Sequence, residues 1–256
     1  MGSCNDCYMF AALAGMAEGT SKEITEEEKG ARIRDNFLVT KVNSAGCYAI
    51  QFIIDGQPRT IVVDDYFPFM YTKGGQEVFA FSKSKTGENE LWVQLIEKAW
   101  AKLCGSYEAA EMGRTSEFFQ NFDGTPTEIN WTDDFEDAAG QEKLLRLMTI
   151  ADKNSWIMCG SILKKMKKAT LEAPLGVLKE IGLKNQHSYT VVDVREVVLD
   201  NGELEYLVFL LNPTGNFYFK TDEIWQGDWS PFSSKWTNKV RKQCNYWTTE
   251  EDIMKA

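Results

Sequence analysis

The apolar residues change character part-way along the chain, and this constrains the fold more than any single residue does. From Glu90 to Cys104, the residues Leu91, Trp92, Leu95, Ile96, Ala99, Trp100 and Leu103 recur at helical spacing, and Gly105 supplies a stop. Tyr8 to Ala17 is rich in Ala, Met and Leu and reads as a buried helix that begins right after Cys7. The charged stretch from Thr20 to Arg34 reads as an exposed helix or loop. Two β-rich runs, from Cys47 to Ile54 and from Thr60 to Asp65, meet across Asp55-Gly56, a hairpin signal. Further on, Gln141 to Ala151 reads as a short amphipathic helix and Trp156 to Leu163 as a strand. Two more strands, starting at His187 and Glu205, flank the turn Asp200-Asn201-Gly202. A helix-rich first half and a strand-rich second half predict an α+β fold with two lobes. The turn residues from Phe122 to Pro126 mark the expected hinge, which places the lobes at 1–124 and 125–256.

Composition narrows the function. Hydrophobic residues make up 43% of the 256 and aromatics 12%, enough for packed cores in both lobes. The formal charge of −10 argues against nucleic acid and anionic membranes as main partners, since both reward clustered Lys and Arg. The one basic run, Lys164-Lys165-Met166-Lys167-Lys168, reads as a solvated stretch. The cysteines at 4, 7, 47, 104, 159 and 244 are scattered, unlike those of a disulfide-stapled secreted domain. They read as reduced thiols. No run approaches the roughly 20 apolar residues that span a bilayer, and no positive residue precedes the apolar segment at Tyr8, so a secretory signal is not expected. The expected compartment is cytoplasmic.

The chain has a single histidine, His187, so any mechanism that uses imidazole as acid or base runs through it. A lone histidine is more often structural, but the hairpin raises its interest. With the turn near Asn201-Gly202, positions summing to roughly 403 face each other, which puts His187 near residue 216 and close to Asn212. A carboxamide there can accept the imidazole N–H, fix its tautomer and aim the other nitrogen. Cys7 immediately precedes the first helix, where the positive end of the helix dipole favours a thiolate. Competing readings are a buried core cysteine and, because Cys4 and Cys7 form a C-x-x-C, a metal or redox site. Zinc lacks its remaining ligands, and no strand precedes the motif as in thioredoxin-like folds.

At this point several segments converge. Asp6-Cys7-Tyr8-Met9-Phe10-Ala11-Ala12 resembles the calpain nucleophile segment G-D-C-W-L-L-A-A, and Val63-Asp64-Asp65-Tyr66-Phe67-Pro68 its V-D-D-x-x-P turn. The helix Leu91-Trp92-Val93-Gln94-Leu95-Ile96-Glu97-Lys98-Ala99-Trp100-Ala101-Lys102 resembles F-W-x-x-L-L-E-K-A-Y-A-K. Gly182-Leu183 with His187-Ser188-Tyr189-Thr190-Val191 is similar to the histidine segment G-L-V-x-G-H-A-Y-S-V. Leu211-Asn212-Pro213-Thr214-Gly215 is similar to R-N-P-W-G, and Trp225-Gln226-Gly227-Asp228-Trp229 to the following W-x-G-x-W. The segments occur in family order over nearly the whole chain. The resemblance implies a papain-like, two-lobed cysteine protease core, with a helix-rich first lobe and an antiparallel-sheet second lobe. It implies endopeptidase chemistry on intracellular proteins through an acyl-enzyme, with Cys7, His187 and Asn212 as the triad. The chemistry needs no cofactor. The implied partners are protein substrates, together with regulatory or scaffold proteins, and calcium is implied as a regulator that closes the lobes.

The chain also departs from the family pattern. The Gln six residues before the nucleophile, an oxyanion donor, is Met1 here, and loss of such a donor typically costs about 10²–10³ in turnover. The Trp after Asn-Pro is Thr214, the Trp after the cysteine is Tyr8, and the Gly before the histidine is Gln186. Glu97 stands at an acidic ligand position of the first-lobe calcium site. In the second lobe, Pro231, Gln243 and Asn245 occupy places where the family clusters carboxylates, so that calcium site is expected to be absent. Three readings therefore stand: an active calpain-like endopeptidase, a catalytically impaired pseudoprotease that binds or scaffolds proteins, and a piece of a longer protease whose upstream residues lie outside this chain.

Overall fold

The computed structural model describes residues 2, 4–18, 25, 30–82, 90–162, 182–214, 225–230 and 233–244. The basic run at 164–168, Met1, Pro231, Asn245 and most of the 20–34 stretch lie outside the described residues. The chain forms two compact units. The first comprises the described residues of Met1–Gly19, Glu23–Ile129 and Pro213–Gly215. The second comprises those of Thr20–Lys22, Asn130–Asn212 and Asn216–Ala256. The mixture of helices and antiparallel sheets is the α+β class expected from the sequence.

The first unit is organised around α1 (Cys7–Glu18), in which nine residues from Cys7 to Met16 are buried. A helix apolar on all sides must be enclosed, and each buried Met, Phe or Leu contributes about 1.5–3 kcal/mol of transfer free energy. Its one buried hydroxyl is fully engaged: Tyr8 Oη donates to Ala110 O at 2.7 Å and accepts from Trp100 Nε1 at 2.7 Å. The Tyr8 ring lies so close to Gly113 that a Cβ there would sit 2.4 Å from it.

After the short helix α2 (Ala31–Asp35), strands β1 (Cys47–Ile54) and β2 (Gln57–Asp64) pair from Cys47↔Asp64 to Ile54↔Gln57. Their turn is Asp55-Gly56, with φ of 51° and 70°, the left-handed pair that a two-residue hairpin requires. A small hairpin follows, β3 (Phe69–Tyr71) with β4 (Glu77–Phe79). Helix α3 (Trp92–Cys104) ends where expected, with Gly105 at φ 108° and its N–H on Ala101 O. Its apolar face is buried, while Lys98 reaches Asp64 Oδ1 at 2.5 Å and Lys102 reaches Val62 O at 2.7 Å, both on β2.

Helix α4 (Thr115–Phe122) has no counterpart in the sequence reading. Its eight residues hold three phenylalanines and too few turns to display a period, but Phe118, Phe119 and Phe122 are all buried. Phe118 meets Trp100 edge-on at 5.1 Å and stacks on Phe122 at 5.1 Å, and Phe122 in turn meets Phe52 at 5.7 Å.

The second unit opens with α5 (Ala138–Lys153), capped by Asp137, whose carboxylate accepts from Gly140 N at 2.7 Å. The sequence reading starts this helix three residues late, because Ala138-Ala139-Gly140 carries no apolar period. Strands β5 (Met158–Ile162), β6 (His187–Val198) and β7 (Leu204–Leu211) form an antiparallel sheet in that order. Near the turn, β6–β7 pairs sum to 402 rather than 403. Past an irregularity between Val191 and Asp193 they sum to 401. One extra residue in β6 is a β-bulge. Together with the one-residue shift at the turn, it moves the position opposite His187 on the extended register from 216 to 214, two residues from Asn212.

Helix α6 (Asn238–Cys244), also unanticipated, packs Val240 and Cys244 against Val197 and Leu207. No helix among the described residues is long and apolar enough to cross a membrane. Because Phe118 is fully buried against two aromatic partners, Trp100 and Phe122, Phe118→Ala should destabilise the protein by about 3–5 kcal/mol. The loss is read as a fall in the denaturant midpoint without a change in slope; a loss under 1 kcal/mol would contradict this packing.

Candidate active site

Cys7 is the first residue of α1, and Asp6 provides the turn that starts the helix. The Asp6 carbonyl accepts from Met9 N at 2.9 Å and from Phe10 N at 3.4 Å. The segment before the helix is tied down on both sides. Asn5 O accepts from Met112 N at 3.0 Å, and Cys4 Sγ donates to Tyr107 O at 3.4 Å. Burial, reinforced by Asp6, Glu97 and Glu111, pushes the Cys4 thiol far above its ordinary range. Without a metal it stays a neutral thiol, a poor nucleophile.

Asp6 itself is 1% exposed and faces Glu97 of α3, which is 3% exposed. Burial first, then the charge of Glu97, push Asp6 up to about 8. Glu97 Oε2 accepts from Ser82 N at 2.9 Å and from Ser82 Oγ at 2.5 Å. Sequence alone gives Asp6 no role, since nothing local marks an Asp beside Cys7 as buried.

In the second unit, His187 begins β6 and is 5% exposed. It is introduced by Gln186 in the left-handed region at φ 52°, so the backbone keeps a conformation natural to glycine although the residue is not one. Asn212 follows the last residue of β7, and its Oδ1 lies 2.8 Å from His187 Nε2. An amide oxygen only accepts, so Nε2 carries the hydrogen and the basic lone pair of the neutral ring is on Nδ1. Tyr189 packs edge-on against the imidazole at 4.9 Å, and its Oη accepts from Lys184 N at 2.9 Å. Ser188 bonds Ser161 across the sheet at 2.8 Å. Of the three residues singled out from the sequence, the second unit brings His187 and Asn212 together, and the first unit holds Cys7 at its helix start.

Among the described residues, no three His, Cys, Asp or Glu side chains converge. Glu97 Oε1 and Asp6 Oδ1 are buried without hydrogen bonds, but two oxygens fall far short of the six to eight that calcium takes. In the second unit two carboxylates are paired with basic side chains, Asp228 with Lys235 at 2.8 Å and Asp193 with Arg195 at 2.7 Å. The Gln243 amide is also spent: Oε1 accepts from Val198 N at 2.9 Å and Nε2 donates to Val198 O at 3.0 Å.

Comparison with known proteins bears on this geometry. The profile described as calpain family cysteine protease matches residues 1–254. The chain is similar to rat Calpain-5, 28% identical with 98% of this chain and 40% of that protein aligned. It is similar to the rat Calpain-1 catalytic subunit, 30% identical over 93% of this chain and 29% of the relative. It is also 29% identical to the calpain-type cysteine protease DEK1 of Arabidopsis thaliana, over 96% of this chain and 10% of the relative. The chain thus spans between a tenth and two-fifths of the length of these relatives.

The raised Asp6 carboxyl makes a prediction with a definite sign. Asp6 titrates higher in the folded protein than in the unfolded chain, so its contribution to stability is fully present at acid pH. That contribution is lost as the pH rises from the ordinary carboxylate range through about 8, with a slope of at most about 1.4 kcal/mol per pH unit. Asp6→Asn, which does not titrate, should flatten this part of the stability profile. Melting curves between pH 5 and 9 decide it; parallel profiles for the two proteins would exclude the raised carboxyl.

Proposed function

The chain belongs to the calpain family of cysteine proteases, and on that premise we propose that it hydrolyses peptide bonds of protein substrates through a triad of Cys7, His187 and Asn212. What supports the reading is the 2.8 Å contact between His187 Nε2 and Asn212 Oδ1. Asn212 accepts the Nε2 hydrogen, so Nδ1 is the nitrogen that takes the proton of the Cys7 thiol. The thiolate, at the start of α1, is favoured by the helix dipole and by the imidazolium it forms. It attacks the substrate carbonyl, and the Cys7 N–H, one of the unsatisfied donors of a helix N-terminus, is placed for the developing oxyanion. The imidazolium then protonates the leaving amine, and an acyl-enzyme remains. Nδ1 next deprotonates a water that hydrolyses the thioester, which restores the thiol.

Alkylation tests this reading directly. Cys7 should react with iodoacetamide or an epoxide reagent faster than the exposed Cys47 and Cys104, and His187→Ala should abolish the excess. On a peptide substrate, His187→Ala should lower turnover by about 10²–10⁴-fold. If Cys7 reacts no faster than Cys47 and Cys104, the protease reading is lost.

Calcium, implied by the family, is not proposed to bind the described residues, since no three of their acidic side chains group together and Asp228 and Asp193 pair with Lys235 and Arg195. Millimolar calcium should leave the melting temperature of this chain unchanged. A calcium-dependent rise that disappears on substitution around residues 231–245 would show the opposite.

A further inference from the structure

We infer that Tyr189 is a positioning residue for the histidine: its ring sets the angle at which the His187 imidazole meets Asn212. The inference rests on the proposed triad, and it adds the side chain that aims the base of that triad.

Strand geometry creates the need. The last β6–β7 pair is Thr190↔Leu211, so one step further along the ladder it is Tyr189, not His187, that stands opposite Asn212. His187 and Asn212 are then diagonal neighbours, and diagonal positions in an antiparallel pair lie about 7–8 Å apart. The imidazole closes that span by leaning along the strand toward residue 189, where Nε2 comes within 2.8 Å of Asn212 Oδ1. Residues two apart on a strand share a face, so the Tyr189 side chain stands beside the imidazole. It meets that ring edge-on, with centroids 4.9 Å apart and planes at 87°. Edge-to-face contact at this distance is an attractive arrangement of two rings. It limits both how far the imidazole leans and how it turns.

Tyr189 is itself fixed at its far end. Its hydroxyl accepts from Lys184 N at 2.9 Å, which ties the ring to the segment that leads through the left-handed Gln186 into the histidine. Tyr189 and His187 are each 5% exposed, so neither ring has room to swing into water. Across the sheet, Tyr189 pairs with Gly160, which has no side chain to share the task. What the ring preserves is the tautomer. With Nε2–H held on Asn212, the basic lone pair stays on Nδ1 and keeps one direction. Misplacements of about 1 Å at a reacting group cost up to about 10²-fold.

The single histidine makes a clean test, since isotopic labelling of histidine nitrogen reports His187 alone. Tyr189→Leu removes the ring and keeps an apolar side chain, whereas Tyr189→Phe keeps the ring and removes the hydroxyl. Both are compared with the wild type in the full chain, at a temperature where circular dichroism shows them folded. Tyr189→Met replaces the leucine variant if that one does not fold. Tyr189→Leu should lower kcat on a peptide substrate by about tenfold or more with KM unchanged. It should also replace the Nε2–H resonance pattern, recorded at alkaline pH, by a mixture of tautomers. Tyr189→Phe should keep the pattern and stay within about threefold of the wild type in kcat. A fall in melting temperature with kcat and the tautomer unchanged would reduce Tyr189 to a structural residue and overturn the inference. So would equal losses in the Phe and Leu variants, which would trace the effect to the hydroxyl and not to the ring. If the inference alone fails, wild-type Cys7 still reacts faster than Cys47 and Cys104; if that excess is missing, the triad falls and the inference with it.

Discussion

A helix apolar on every side can persist in water only when other elements enclose it, and α1 is such a helix. The first unit supplies that enclosure: α3 and α4 bring aromatic rings, and the β1–β2 hairpin brings Phe52 and Ile50. Enclosure has a consequence for chemistry. The N-terminus of a buried helix cannot rely on water for its unpaired donors, so the polypeptide entering it must be fixed by protein groups. That is why Cys4, Asn5, Asp6 and Tyr8 each carry a specific hydrogen bond. Cys7, placed at this junction, inherits rigidity from contacts it does not itself make.

The second unit solves a different problem, which is to hold two side chains from different strands within hydrogen-bond distance. A regular β6–β7 ladder at the simplest register would leave His187 opposite a residue four beyond Asn212. The bulge at Val192 and the one-residue shift at the turn take up half that difference, and chain direction after Leu211 supplies the rest. The left-handed Gln186 turns the chain into β6 immediately before the histidine. Glycine adopts that conformation freely, whereas another residue pays about 1–2 kcal/mol. The backbone shape has been kept although the residue best suited to it has not.

These devices also mark what the sequence could convey. The Asp55-Gly56 hairpin, the α3 period with its Gly105 stop, and the apolar run of α1 are local signals, and their elements fall where expected. The His187–Asn212 pairing was legible because one hairpin turn carries it, within the few residues by which a bulge can displace a register. Helices α4 and α6 were not legible, because eight and seven residues are too short to show a period and their apolar groups act only through tertiary partners. The Asp6–Glu97 pair was not legible either. Ninety positions separate its members, and each by itself looks like an ordinary charged residue.

Buried carboxylates need a counterweight, and the two units supply it by different means. In the second, buried Asp193 faces Arg195, and the neutral amide of Gln243 makes two backbone hydrogen bonds. In the first, among the described residues, Glu97 takes both donors of Ser82 and the Asp6 carboxyl is raised. A bound cation would be a third solution, one that makes the balance depend on an outside concentration. In the first unit the raised Asp6 carboxyl makes the balance depend on pH instead.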